Sequence, residues 1–125
     1  MSHKNKKQFG VWMDSHHATV VGRENPDTLD FTVLSHSVNP AAESNSSEKT
    51  SHNAEKTLQH KFFKEITSHM QNAEEVHITG TGTSQEQFMH YMKETPQFKN
   101  TITNESTSNK MSDENLAVFI GAKFN

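Results

Sequence analysis

Residues 76–92, VHITGTGTSQEQFMHYM, decide how this chain folds. Val76 and Ile78 alternate with His77 and Thr79, the two-residue period of a strand. From Ser84 the apolar residues Phe88, Tyr91 and Met92 take up helical spacing. Between the two lies a glycine-threonine bend. Gly80 and Gly82 allow close backbone approach, and Ser84 with Gln87 three residues on has the spacing of a capping box. The free N–H groups of such a helix start make Gly80, Gly82, Thr83 and Ser84 a candidate anion-binding bend. The stretch has neither G-x-x-x-x-G-K-[ST] nor G-x-S-x-G, so a nucleotide cradle and a nucleophile elbow both lack support. A compact strand-to-helix joint is the favoured reading.

Working outward, FGVWMD (9–14) and HATVVG (17–22) read as two short strands joined by a tight hairpin, with Phe9, Val11 and Met13 on one face. GRENPD (22–27) is a turn, and LDFTVLSHSV (29–38) alternates as a third strand. NPAAESNSSEKTSHN (39–53) has almost no apolar content and reads as a flexible loop. Ala54, Leu58, Phe62, Ile66 and Met70 then recur every four residues, with Ala73 closing the stripe of a helix. EEVHITG (74–80) is a fourth strand and KNTITN (99–104) a weaker fifth, followed by the polar loop ESTSNKMS (105–112). From Ser112, Leu116, Phe119, Ile120, Lys123 and Phe124 mark a closing helix.

The order is β-β-β-α-β-α-β-α. An antiparallel meander followed by right-handed crossovers predicts one mixed five-stranded sheet covered by helices, an α/β chain of the ribonuclease H-like architecture. Residues 1–7 read as a flexible basic tail and 8–125 as a single domain, in keeping with a length of 125 residues.

Composition narrows the function classes. With no cysteine, thiolate chemistry and Cys-based metal sites are excluded. No apolar run reaches the length of a membrane span and no secretion signal opens the chain, so a cytoplasmic location away from membranes is expected. Twelve Lys and Arg against 15 Asp and Glu give a net charge of -3, which speaks against DNA as a partner. An apolar share of 30% is low but is not paired with high charge, so the chain is expected to fold, loosely.

Three groups of side chains bear on chemistry. Asp14 ends the first strand, where a ribonuclease H-like nuclease would hold a metal-binding carboxylate. Two-metal hydrolysis needs several converging carboxylates, and Glu74, Glu75, Glu105, Asp113 and Glu114 show no diagnostic spacing, so a turn-capping aspartate is favoured. Nine histidines are many, yet His16 and His17 point to opposite faces of a strand and His60, His69 and His90 stand singly on helices; they read as solvated surface residues, and neither metal nor cofactor is expected. Lys49, Lys56, Lys61 and Lys64, with His52 and His60, cluster across the loop and the polar helix face. Together with the tail lysines Lys4, Lys6 and Lys7 they could neutralise phosphates, although Glu55 and Glu65 are interleaved with them. Trp12 reads as core rather than as a stacking platform.

FGVWMDSHHATVVG, HKFFKEITSHM (60–70) and VHITGTGTSQEQFMHYM, taken in order and spacing, resemble the central domain of eukaryotic and archaeal class-one release factors and of the ribosome-rescue factor Pelota, together with their stand-alone bacterial relatives. The likeness covers roughly residues 8 to 124. Release factors carry Gly-Gly-Gln in the loop after the third strand. Here that loop is residues 39–53, and the tripeptide occurs nowhere in the chain. The resemblance therefore implies a non-catalytic, ribosome- or RNA-directed module, as in Pelota, whose central domain also lacks the tripeptide. Ribosome rescue, hibernation and translational regulation all suit it. A metal-dependent nuclease using Asp14 and a protein-protein adaptor are the alternative readings.

Overall fold

The computed structural model describes residues 7–23, 31–39, 52–71 and 73–124, without the side chains of residues 52–56. Five strands, β1 (Gln8–Met13), β2 (His17–Gly22), β3 (Thr32–Val38), β4 (Glu75–Gly80) and β5 (Ile102–Thr107), form one sheet in the order β3-β2-β1-β4-β5. β1, β2 and β3 pair antiparallel, while β4 lies parallel to β1 and β5 parallel to β4. This is the mixed sheet of the ribonuclease H-like architecture, reached by helical crossovers because parallel neighbours cannot be joined by a tight turn. Helices α1 (His52–Ser68) and α2 (Thr83–Glu94) are crossovers, and α3 (Asp113–Phe124) closes the described chain.

Strand periodicity divides the core in two. Phe9, Val11 and Met13 of β1, with Val76 and Ile78 of β4, point to one face and pack with Phe62, Phe63, Ile66, Phe88 and Met92 of α1 and α2. Trp12, Val21 and Phe31 point to the other and meet Leu116 and Ile120 of α3. Between these layers Gly10 lies directly beneath Ile120; a Cβ there would fall well inside contact distance of the Ile120 side chain. α3 can sit this low on the sheet because that position has no side chain.

Several boundaries depart from the sequence reading. The third strand begins at Thr32; the proposed start at Leu29 and most of the turn at 22–27 lie outside the described residues. The first helix starts at His52, not Ala54, and ends at Ser68, so Met70 and Ala73 are buried by the chain that leaves it. The second helix starts at Thr83. Its reciprocal cap is Gln85, whose Oε1 accepts the Gly82 N–H at 3.1 Å, and not Gln87 from a Ser84 cap. The largest shift is in β5, which runs over 102–107 and takes in residues read as loop. Pro96, Gln97 and Phe98 form a 3-10 turn with Phe98 buried, delaying the strand by three residues.

The proposed flexible segments are tied at their ends. Lys7, assigned to the tail, donates its N–H to Glu74 Oε1 at 3.0 Å, and its carbonyl accepts the Glu74 N–H at 2.9 Å. Asn39, assigned to the loop, is buried, with its N–H on the His16 carbonyl at 2.8 Å and Nδ2 on the Ser15 carbonyl at 3.1 Å. Residues 1–6 and 40–51 lie outside the described residues.

Candidate functional site

Four places carry the residues that could act: the hairpin at Asp14, the bend at Gly80–Ser84, the outer side of α1, and a polar seam under α3.

Asp14 is a turn cap. Its Oδ1 accepts the N–H groups of His16 at 2.8 Å and His17 at 2.7 Å, and its own N–H donates to the His17 carbonyl at 2.9 Å. These bonds close the three-residue connection between β1 and β2, and short polar side chains favour such positions for this reason. Among the described residues no three His, Asp or Glu side chains come together where they could hold a metal ion.

The bend answers to packing. A Cβ on Gly80 would collide with the carbonyl oxygen of Met13, across the β1–β4 pair. Gly82 has φ of +136°, a conformation that glycine adopts readily and other residues do not. Behind the bend, Gln85 is 1% exposed. Besides accepting the Gly82 N–H, it donates through Nε2 to the Ser106 carbonyl and to Glu105 Oε2, the latter at 3.4 Å. One buried amide thus joins the helix start to the fifth strand. Of the four residues proposed to bind an anion, Ser84 is buried, Gly80 is buried in β4, and the Gly82 N–H already has its acceptor; Thr83 is exposed.

The outer side of α1 carries the basic group. His60, Lys61 and Lys64 are exposed, with His60 and Lys64 one turn apart on the same side. Lys56 and His52 lie on the same helix, one and two turns further toward its start, with side chains outside the described residues, as is Lys49 altogether. The His60 side of the helix faces α2 across a groove of about 310 Å³. Gln59 and Gln87 bridge it, Gln59 Nε2 donating to Gln87 Oε1 at 3.0 Å. Tyr91 forms an aromatic wall, its ring centroid 5.8 Å from His60 and 5.5 Å from Phe63. His90, Glu94 and Thr95 complete the lining. Sequence reading placed His60 here but missed the α2 side, whose Gln87, His90, Tyr91 and Glu94 are ordinary residues on a helix until the crossover sets them against α1.

The polar seam was not foreseen. His77, grouped with the solvated histidines, is 6% exposed and is thus a correction to that reading. Its Nε2 pairs with Ser106 Oγ at 2.8 Å; Ser106 Oγ donates to Thr79 Oγ1 at 2.9 Å, and Thr79 Oγ1 pairs with Ser108 Oγ at 2.7 Å. Trp12 Nε1 donates to the Ser108 carbonyl at 3.4 Å, and the Phe119 ring packs edge-on to His77 at 6.1 Å. Burial, and then the Lys123 ammonium, hold the His77 pKa below its ordinary 6.5. The only warning in the sequence is parity: His77 and Thr79 alternate with Val76 and Ile78 in a strand whose two faces are both covered.

No known protein family and no curated protein matches the sequence. Solved structures do share the fold. The Pelota protein of Thermoplasma acidophilum superposes with a TM-score of 0.57 at 16% identity, over 91% of this chain and 31% of that one. Archaeoglobus fulgidus Pelota gives 0.56 at 12% identity, over 98% and 36%. An archaeal translation termination factor gives 0.53 at 12% identity, over 95% and 35%. The chain spans about a third of the length of each, and at these identities the likeness is one of fold. Among the described residues no helix is long and apolar enough to cross a membrane.

Proposed function

We propose that this chain is a non-catalytic module of the translation machinery, a bacterial relative of the central domain of release factors and Pelota, acting in the cytoplasm on the ribosome or on RNA. The observation that carries this reading is the fold likeness to two Pelota proteins and a translation termination factor over at least 91% of the chain. The absence of Gly-Gly-Gln from the sequence supports docking over peptide release. Asp14, which a nuclease would need free for metal, is engaged by two backbone N–H groups, which further favours a binding role.

The proposed contact surface is the outer side of α1 with the segment that precedes it: Lys49, His52, Lys56, His60, Lys61 and Lys64. Exposed lysines on one helix suit phosphate contact, each adding a salt-sensitive increment to affinity. Rescue, hibernation and regulation of translation all fit a protein of this kind.

Sedimentation of cell lysate through a sucrose gradient tests the proposal. At low salt the protein should travel with ribosomal subunits, ribosomes or polysomes in growing or starved cells. A protein that stays at the top under both conditions is not a ribosome factor.

A further inference from the structure

The groove between α1 and α2 has chemistry that general attraction to phosphate does not require. Its aromatic wall is anchored: the Tyr91 ring lies nearly parallel to Phe88, at 17° and 6.3 Å, and Phe88 is fully buried. The bond from Gln59 Nε2 to Gln87 Oε1 leaves the Gln59 carbonyl oxygen and the Gln87 amide hydrogens for a ligand. Glu94 adds a carboxylate, an acceptor only. A rigid aromatic ring flanked by one donor and two acceptors is the equipment with which proteins hold a single unstacked base, the ring stacking and the polar groups reading its edge. At about 310 Å³ the groove is at the lower limit of small-molecule sites, which suits one base and not a whole nucleotide pair.

Resting on the RNA-binding reading above, we propose that this groove captures one unpaired, amine-bearing base of single-stranded RNA, stacked on Tyr91. Its exocyclic amine donates to Glu94, while Lys64, on the His60 side of α1, meets the neighbouring phosphate. A carboxylate accepts from the exocyclic amine of adenine, guanine or cytosine; uracil has no such amine, and its one donor, N3–H, lies between two carbonyl oxygens that repel a carboxylate. The groove therefore selects against uridine.

The test is titration of the full chain with short single-stranded RNAs, an adenine hexamer against the same hexamer with every adenine replaced by purine lacking the amine, and against oligouridine. Affinity is read by fluorescence anisotropy, and the position of binding by amide chemical shifts of the unmutated protein. Tyr91→Ala should weaken all oligonucleotides at least about fivefold. Glu94→Ala, at an exposed position and without an acceptor, should bring the amine-bearing and amine-free oligonucleotides to equal affinity. Lys61→Ala, outside the groove, should lower affinity without altering the preference.

Shifts confined to residues around Gln59, His60, Gln87 and Tyr91, with the amine preference lost in Glu94→Ala, sustain the inference. RNA binding whose shifts map elsewhere, or a preference that survives Glu94→Ala, overturns it and leaves the proposed function standing. Cosedimentation with ribosomes without binding of any oligonucleotide has the same consequence, since the groove then meets protein or nothing. Failure to bind RNA together with failure to sediment with ribosomes removes both.

Discussion

Gln85 holds Gly82: its buried side-chain oxygen accepts the Gly82 N–H at 3.1 Å while its amide reaches over to the Ser106 carbonyl. The strand-to-helix bend is thereby bolted to the edge strand by one side chain, and its glycines serve close packing. Replacing Gln85 by Leu keeps most of the volume and strands both the part-buried Gly82 donor and the Ser106 carbonyl that Gln85 bonds. An unsatisfied buried donor costs about 1–3 kcal/mol, so Gln85→Leu should lower the free energy of unfolding by that amount in a urea titration. Gln87→Leu, on the exposed side of the same helix, should change it by less than about 0.5 kcal/mol.

A second prediction concerns the seat of α3. Gly10→Ala places a methyl group against Ile120 and should destabilise the fold by about 1–3 kcal/mol, the usual cost of overpacking a filled core. Ile120→Val alone should cost about 0.5–1.5 kcal/mol. Because the two side chains meet, the double variant should be more stable than the sum of the single effects predicts, by at least about 0.5 kcal/mol. Additivity in the double-mutant cycle would place Ile120 elsewhere.

The hairpin, the two-faced strands and the crossover helices were legible because Val11 and Met13, or Phe62 and Ile66, fall on the periods that one-sided burial imposes. β5 was misplaced because Glu105 and Ser106, which separate Thr107 from the residues read as strand, have little intrinsic strand preference. Parallel pairing from Glu75↔Ile102 to Gly80↔Thr107, with Ser106 bonded to both His77 and Thr79, overrides it. His77 was misjudged for the same reason, since its burial is decided by a helix that arrives more than thirty residues later. The basic face of α1 could be read from Lys61 and Lys64 alone. The groove beside it could not, as Gln59 and Gln87 become partners only when the sheet sets the two helices side by side.

The buried His77 gives stability a pH dependence whose sign is fixed. Its pKa in the folded protein lies below the ordinary 6.5, first through burial and then through Lys123. Well above pH 6.5 the imidazole is neutral in both states and its seam is intact. As pH falls below 6.5 the unfolded chain takes up the proton before the folded one, so stability declines until the folded pKa is passed. Midpoints of thermal unfolding should therefore drop from pH 7 toward mild acid. His77→Asn, which cannot charge, should show a shallower decline than the parent over the same interval; an identical slope would mean that His77 does not titrate differently in the two states.

The last prediction separates phosphate contact from a merely solvated helix. Lys61 and Lys64 are exposed, so replacing either with alanine should move stability by no more than about 0.5 kcal/mol. If each meets a phosphate, binding to single-stranded RNA should weaken for every sequence alike, and the slope of log affinity against log salt should become shallower by about 0.7 per lysine removed. Glu65 follows Lys64 in sequence, one turn from Lys61, but its Oε2 accepts a hydrogen bond from Ser37 Oγ at 3.2 Å, which holds it toward β3. Glu65→Gln should accordingly leave the salt slope unchanged. A slope that ignores both lysines would show that α1 carries its charge for solubility, and that the ribosome or RNA meets the molecule on another face.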